Sequence, residues 1–189
     1  FEAGYSNTAS FNHFSGYKAG HSNTTGQYNY ASGMLAGLDN QVGDRNLFIG
    51  YRSGENSLSD DNVLIGYYTG SSLQNGTKNT FIGSRAGDNY SGDANNVTIL
   101  GAHAGILASG DDNTFVGAYA GENATGSDNT MIGKDAGDDA TGSENIVIGM
   151  SAGTSASFSG SQNTIIGTTN LFSADGINVT TPNDVAAIL

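Results

Sequence analysis

Cysteine and tryptophan are absent from the 189 residues, and proline occurs once. Without cysteine there is neither a disulfide framework nor a thiolate metal site, so nothing marks the redox compartment. Basic residues are scarce too: Lys+Arg is 6 against Asp+Glu at 18, a net charge of −12. So acidic a surface repels phosphate backbones and anionic lipid, which argues against nucleic acid as a partner. No apolar run approaches the ~20 residues of a membrane helix, so direct membrane insertion is not expected. No signal peptide is recognisable, and Phe1 stands where an initiator methionine would, which suggests processing or truncation.

Glycine, by contrast, is plentiful at 29 residues. It follows no G-X-Y period, which excludes collagen, and recurrent apolar pairs argue against disorder. One motif repeats: Asn, two or three mostly apolar residues, Gly, two variable residues, a small residue, Gly. Clear copies run from Asn79 to Gly87 and from Asn113 to Gly121. The leading asparagines are Asn12, Asn29, Asn46, Asn62, Asn79, Asn96, Asn113, Asn129, Asn145 and Asn163, 16 to 18 residues apart. The first glycine recurs at Gly16, Gly33, Gly50, Gly66, Gly83, Gly101, Gly117, Gly133, Gly149 and Gly167. The second fails only in the last copy, where Asn170 stands. The copy Asn96-Val97-Thr98-Ile99-Leu100-Gly101 carries an extra residue and reads as a bulge.

A period of 16–17 is too short for a helical hairpin and suits one turn of a β-solenoid. The expected coil is a short strand, a glycine corner, a second extended piece and a loop back. Stacked at roughly 4.8 Å, ten coils make a rod on the order of 45 Å long. The fold class is therefore all-β: a parallel β-solenoid of about ten coils over residues 1–170. Residues 171–189 read as one or two closing strands and then the start of an exit helix, with Thr181 as N-cap and Pro182 after it. The opening Phe1–Thr8 parallels Tyr17–Thr24, so the chain is read as starting in mid-repeat, with more coils or another domain ahead of it.

Each position of the repeat has a physical reading. The asparagines suit a stacked amide ladder or the capping of turn backbone. The glycines suit corners with positive φ or close backbone approach. The paired apolar residues, such as Phe48-Ile49, Phe81-Ile82 and Met131-Ile132, point to opposite faces of a strand. One column (Phe48, Leu64, Phe81, Phe115, Met131, Val147, Ile165, or its neighbour if the faces are reversed) is left outside as a long greasy stripe, the mark of an oligomer interface.

Catalysis finds no foothold. His13, His21 and His103 fall at different repeat positions without metal-ligand spacing, and no serine elbow or phosphate loop occurs. No catalytic residue, metal or cofactor is assigned, and the chain is not read as an enzyme. Of the 18 acids, 14 lie between the second glycine and the next asparagine. They read as solvated loops, with calcium a weaker alternative. The shared position of Thr80, Thr114, Thr130 and Thr164 suggests ice binding, but Leu47, Val63, Val97 and Ile146 are expected to break that column. Tyr17, Tyr51, Tyr67, Tyr68 and Tyr119, on the variable glycine-flanked turn, are the first candidates for ligand contact. Their alternative role is packing between coils.

The Asn-Thr-Phe-Ile-Gly-x-x-Ala-Gly units, together with residues 16–26, resemble the head repeats of trimeric autotransporter adhesins. They resemble still more the related repeats of bacterial surface proteins and phage tail-fibre-like proteins. The resemblance spans residues 1–170 and implies a left-handed β-roll packed as a homotrimer, which would cover the second apolar face. It also implies an extracellular, cell-surface or virion-fibre module that presents a rigid surface to a receptor or glycan. A structural filament subunit is the alternative, and a monomeric ice- or calcium-binding solenoid stands third.

Overall fold

The computed structural model describes residues 1–91, 93–154, 159–168 and, as backbone alone, 186–188. Each coil contributes one three-residue strand: β1 His13–Ser15, β2 Tyr30–Ser32, β3 Leu47–Ile49, β4 Val63–Ile65, β5 Thr80–Ile82, β6 Thr98–Leu100, β7 Thr114–Val116, β8 Thr130–Ile132, β9 Ile146–Ile148 and β10 Thr164–Ile166. With β11, Ala186–Ile188, they stack in chain order into a single parallel sheet. The protein is a parallel β-solenoid of ten coils. Leu171–Thr180 and the expected helix cap at Thr181 lie outside the described residues. Ala186–Ile188, read from the sequence as the continuation of that helix, instead pair with Thr164–Ile166, which satisfies the open edge of β10.

Strand alternation settles the faces. The middle residue of each strand points inward: Phe48, Leu64, Phe81, Ile99, Phe115, Met131, Val147 and Ile165 are buried. Each such side chain contributes about 1.5–3 kcal/mol by leaving water. The outward apolar column is therefore the other one, Ile49, Ile65, Ile82, Leu100, Val116, Ile132, Ile148 and Ile166, all of them at least partly exposed. Two further columns complete the interior. One is the small residue before the second glycine, from Ala19 to Ala152. The other begins polar, with Asn23, Asn40 and Ser57, and turns apolar at Leu73, Tyr90, Ala108, Ala124 and Ala140.

Among the described residues no second strand follows the glycine corner; the return segment carries only single parallel bridges, Ser91 with Ser109 and Thr125 with Thr141. After the corner the chain makes a tight turn containing a left-handed residue, as at Lys18, Arg52, Tyr68 and Arg85, and then a left-handed glycine. A further left-handed residue precedes each ladder position, among them Tyr28, Arg45, Asp61 and Lys78. Such conformations disfavour side-chain-bearing residues by roughly 1–2 kcal/mol. Bonds between coils hold them in place: Tyr68 donates its N–H to Tyr51 O at 2.9 Å and Arg85 donates to Tyr67 O at 2.7 Å. At the corner, the coils come too close for any side chain. A methyl on Gly117, where φ is 134°, would sit 2.5 Å from the carbonyl oxygen of Gly133.

The copy at residues 96–101 contains no bulge. Thr98–Leu100 pairs in register with Thr80–Ile82 on one side and Thr114–Val116 on the other. The additional residue is taken up ahead of the strand, and Val97, fully buried, occupies the ladder position. Asn96 instead holds the left-handed site before it (φ 57°), and its amide reaches Asp112. The rung that Val97 cannot make is supplied from another column. Tyr90 donates its hydroxyl to Gly110 O at 2.8 Å and accepts from Asn113 Nδ2 at 3.0 Å. Elsewhere the ladder amide itself bonds the equivalent carbonyl, as Asn79 does with Ala94 O at 2.7 Å.

Two outcomes test this account. Gly117→Ala should cost roughly 2–4 kcal/mol in urea unfolding, from the strained φ and the carbonyl contact together. Tyr90→Phe should cost about 1–2 kcal/mol by orphaning a half-buried carbonyl. Adding Val97→Asn to Tyr90→Phe should restore most of that loss; additive losses in the double-mutant cycle would refute the substitution of one rung for the other.

Candidate functional site

The asparagine column is structural throughout. Its side-chain oxygens accept the backbone N–H of the next ladder residue, as from Asn46 to Asn29 at 2.9 Å and from Asn145 to Asn129 at 3.0 Å. Its amides donate into the loop carbonyl of the following coil, as Asn29 does to Gly43 at 2.7 Å. The amide ladder and the turn cap are thus one arrangement. From Asn29 on these side chains are buried, and apart from the Asn163 Oδ1 their polar groups are engaged within the ladder.

Part of the acidic loops is structural as well. Asp44 accepts the N–H of Gln27 at 2.7 Å, Asp60 that of Asp44 at 2.8 Å, and Asp111 that of Asn95 at 2.8 Å. Ser127 and Ser143 continue the same column, each accepting from the preceding coil at 3.0 Å. This second ladder escaped the sequence reading. Its signal was there: an oxygen-bearing side chain recurs two residues before the ladder position. Among the described residues no group of three or more His, Asp or Glu is arranged to hold a metal ion, and no helix is long and apolar enough to cross a membrane.

The structure divides the candidate tyrosines. Tyr17 lies beside Lys18, whose ammonium is 5.6 Å from its ring, and Tyr119 packs on His103 at 4.9 Å. The other two histidines likewise sit against aromatics, His13 on Tyr30 and His21 on Tyr5. Tyr51, Tyr67 and Tyr68 come together. Tyr51 and Tyr67 stack at 5.4 Å with 19° between planes, and Tyr68 stands edge-on to Tyr67 at 4.6 Å. Arg52 lies 5.5 Å from the Tyr51 ring and 5.3 Å from the Tyr68 ring, and Arg85 lies 5.8 Å from Tyr68. The arginines were noted in the sequence only as sparse positive charge; neighbouring coils place them on the tyrosines.

Two other surfaces lie along the outer face of the sheet. The outward aliphatic column includes Leu100 at 48% exposed and Ile166 at 42%. The strand position two residues earlier carries Thr80, Thr98, Thr114 and Thr130 in unbroken succession. Val97 does not interrupt that row, because Thr98 is the residue in register. Leu47, Val63 and Ile146 do stand in it.

One carboxylate is conspicuous. Burial first, then the neighbouring Asp139, Glu122 and Asp135, push the Asp138 carboxyl up to about 6. One of its oxygens is buried without a partner. The folded state therefore favours the protonated form, and stability falls as pH rises from about 4 to about 6. Asp138→Asn should raise the melting temperature at pH 7.5, and the gap should close below pH 4; an equal gap at both pH values would refute the assignment.

No family model, no curated protein and no solved structure matches the chain, so the functional reading rests on its fold and its surfaces.

Proposed function

We propose that the chain is a non-catalytic head or fibre module that projects a rigid binding surface outside a cell or particle, assembled as a homotrimer. The observation that carries this reading is the aliphatic column from Ile49 to Ile166, which lies on the outer face of an already filled coil. A contiguous apolar stripe over eight coils, with Leu100 48% and Ile166 42% exposed, is the kind of patch that marks an interface. Burying it between copies follows from the hydrophobic effect, and the resemblance to adhesin heads supplies the three-fold arrangement. The module would act through shape, stiffness and multivalency. A filament subunit joined end to end is the alternative. The threonine row favours a third reading, ice binding by a monomer. Calcium loses ground, since Asp44, Asp60 and Asp111 are engaged with backbone N–H groups.

Light scattering on a size-exclusion column discriminates among these. The expected mass is near three times the 19.3 kDa chain. Ile82→Glu with Ile132→Glu should yield a monomer whose far-UV circular dichroism is unchanged, because both side chains face outward. A wild-type monomer would overturn the trimer and direct attention to thermal hysteresis. Polydisperse polymer would favour the filament.

A further inference from the structure

We propose that Tyr51, Tyr67, Tyr68, Arg52 and Arg85 form a binding site for an acidic saccharide, one bearing carboxylate or sulfate groups. The proposal rests on the reading of the chain as a surface-presenting module, and it names the chemistry of what is bound.

Packing alone does not call for these side chains. The position after the first glycine is Tyr51 and Tyr67 here but Ser84, Ala102 and Ala118 in the coils that follow. The next position is Arg52, Tyr68 and Arg85 here but Asp135 and Ser151 further along. Every one of those coils stacks in the same register. The fold thus accepts small or acidic residues where this patch places rings and guanidiniums. Tyr67 remains 50% exposed despite its two aromatic neighbours.

Charge adds an independent argument. In a chain of net charge −12, cations are expected to be neutralised by the surrounding acids. Arg45 is, by Asp61 at 2.6 Å, and Lys18 and Lys134 each contact a carboxylate. Lys78, outside this patch, and Arg85, within it, make no ion pair among the described residues. Arg52 has only Glu55, at 3.6 Å, and its Nε is buried without a hydrogen-bond partner. Two guanidiniums with unused donors, two coils and so roughly 10 Å apart along the axis, flank the tyrosine platform.

A guanidinium pairs with a carboxylate or sulfate through two parallel N–H bonds. Tyrosine rings offer an apolar face with a hydroxyl at its edge, which suits the C–H face and peripheral hydroxyls of a pyranose. The rings stand on turns at the surface, with Tyr67 half exposed, and their planar faces fit a flat sugar ring better than an extended peptide. The turns beneath are fixed by the coil-to-coil bonds of Tyr68 and Arg85, so little ordering accompanies binding. The negative field of the rest of the chain opposes long-range attraction of an anion, so recognition acts at contact distance.

Titration calorimetry with oligogalacturonate, dextran sulfate and neutral dextran tests the site, with light scattering on the same samples. The intact chain should bind one or both acidic saccharides, the preferred one identifying the anionic group, and should not bind neutral dextran. Arg85→Ser and Tyr67→Ser introduce a residue that the same columns already hold, and each should weaken binding at least tenfold at unchanged mass and circular dichroism. Arg85→Lys should recover only part of the loss, since the charge returns without the fork. Failure to bind either acidic saccharide, equal binding of neutral dextran, or variants that bind like the parent would overturn the site. A monomer that binds would leave the site standing and sink the trimer; a trimer that does not bind would do the reverse.

Discussion

The backbone of each coil lies within strand distance of the next, and the rest of the molecule follows from that spacing. At the first glycine the approach leaves no room for a methyl, as the contact between Gly117 and the Gly133 carbonyl shows. Equivalent residues must then stack directly over one another, so each repeat position becomes a column that has to tolerate its own kind. Asparagine is well matched to such a column because one side chain both donates and accepts. Aspartate is repelled by a copy of itself; in the second ladder Asp44 and Asp60 are adjacent with Arg45 beside them, and beyond them the one aspartate, Asp111, stands between Asn95 and Ser127. The left-handed residues, unfavourable in an isolated coil, are held by bonds to adjacent coils. Stability in this architecture belongs to interfaces between coils, not to a coil.

The region around Val97 shows how such an array accommodates a fault. A missing amide would leave the Gly110 carbonyl without its usual donor. The Tyr90 hydroxyl reaches it from the neighbouring interior column and also receives the Asn113 amide. Burial raises the pKa of that phenol well above its ordinary range, which keeps it neutral and able to donate. The constraint is therefore on each carbonyl finding a donor, and which residue provides it is free to vary.

Much of this was legible before any coordinates. Ten copies of an asparagine–glycine motif fix the coil, its length and the parallel stacking, because no other architecture repeats so short a unit with paired apolar residues. The phase within the strand was not legible: Phe81 and Ile82 are both apolar, and a one-residue shift exchanges their faces. The position of the inserted residue was misread because asparagine aligns naturally with asparagine, which drew Asn96 into the ladder. A stricter criterion was available. The ladder residue stands four before the glycine in every other copy, as Asn79 does before Gly83, and that count selects Val97 before Gly101. The tyrosine–arginine cluster could be listed but not assembled, since Arg52 and Arg85 lie 33 residues apart in sequence and meet Tyr68 only through the coil register.

The aliphatic column and the aromatic cluster begin at the same point of the rod, and this bears on how they would work together. Before β3 the outward position holds Ser15 and Ser32; from Ile49 onward it is aliphatic, and Tyr51 follows two residues later. The first two coils instead carry stacked aromatics on their outer surface, His13 on Tyr30 and Phe11 on Tyr28. In the proposed trimer the stripe would draw three copies together from the third coil on. In the third to fifth coils the tyrosine–arginine turn directly follows the stripe, so it would stand at the margin of that contact, repeated three times about the axis. A shallow, open platform binds one sugar weakly, because few contacts offset the loss of translational freedom. Three such platforms on a rigid rod would engage a polymer of repeating anionic units at high effective concentration, which is where stiffness and symmetry would become useful to a weak site.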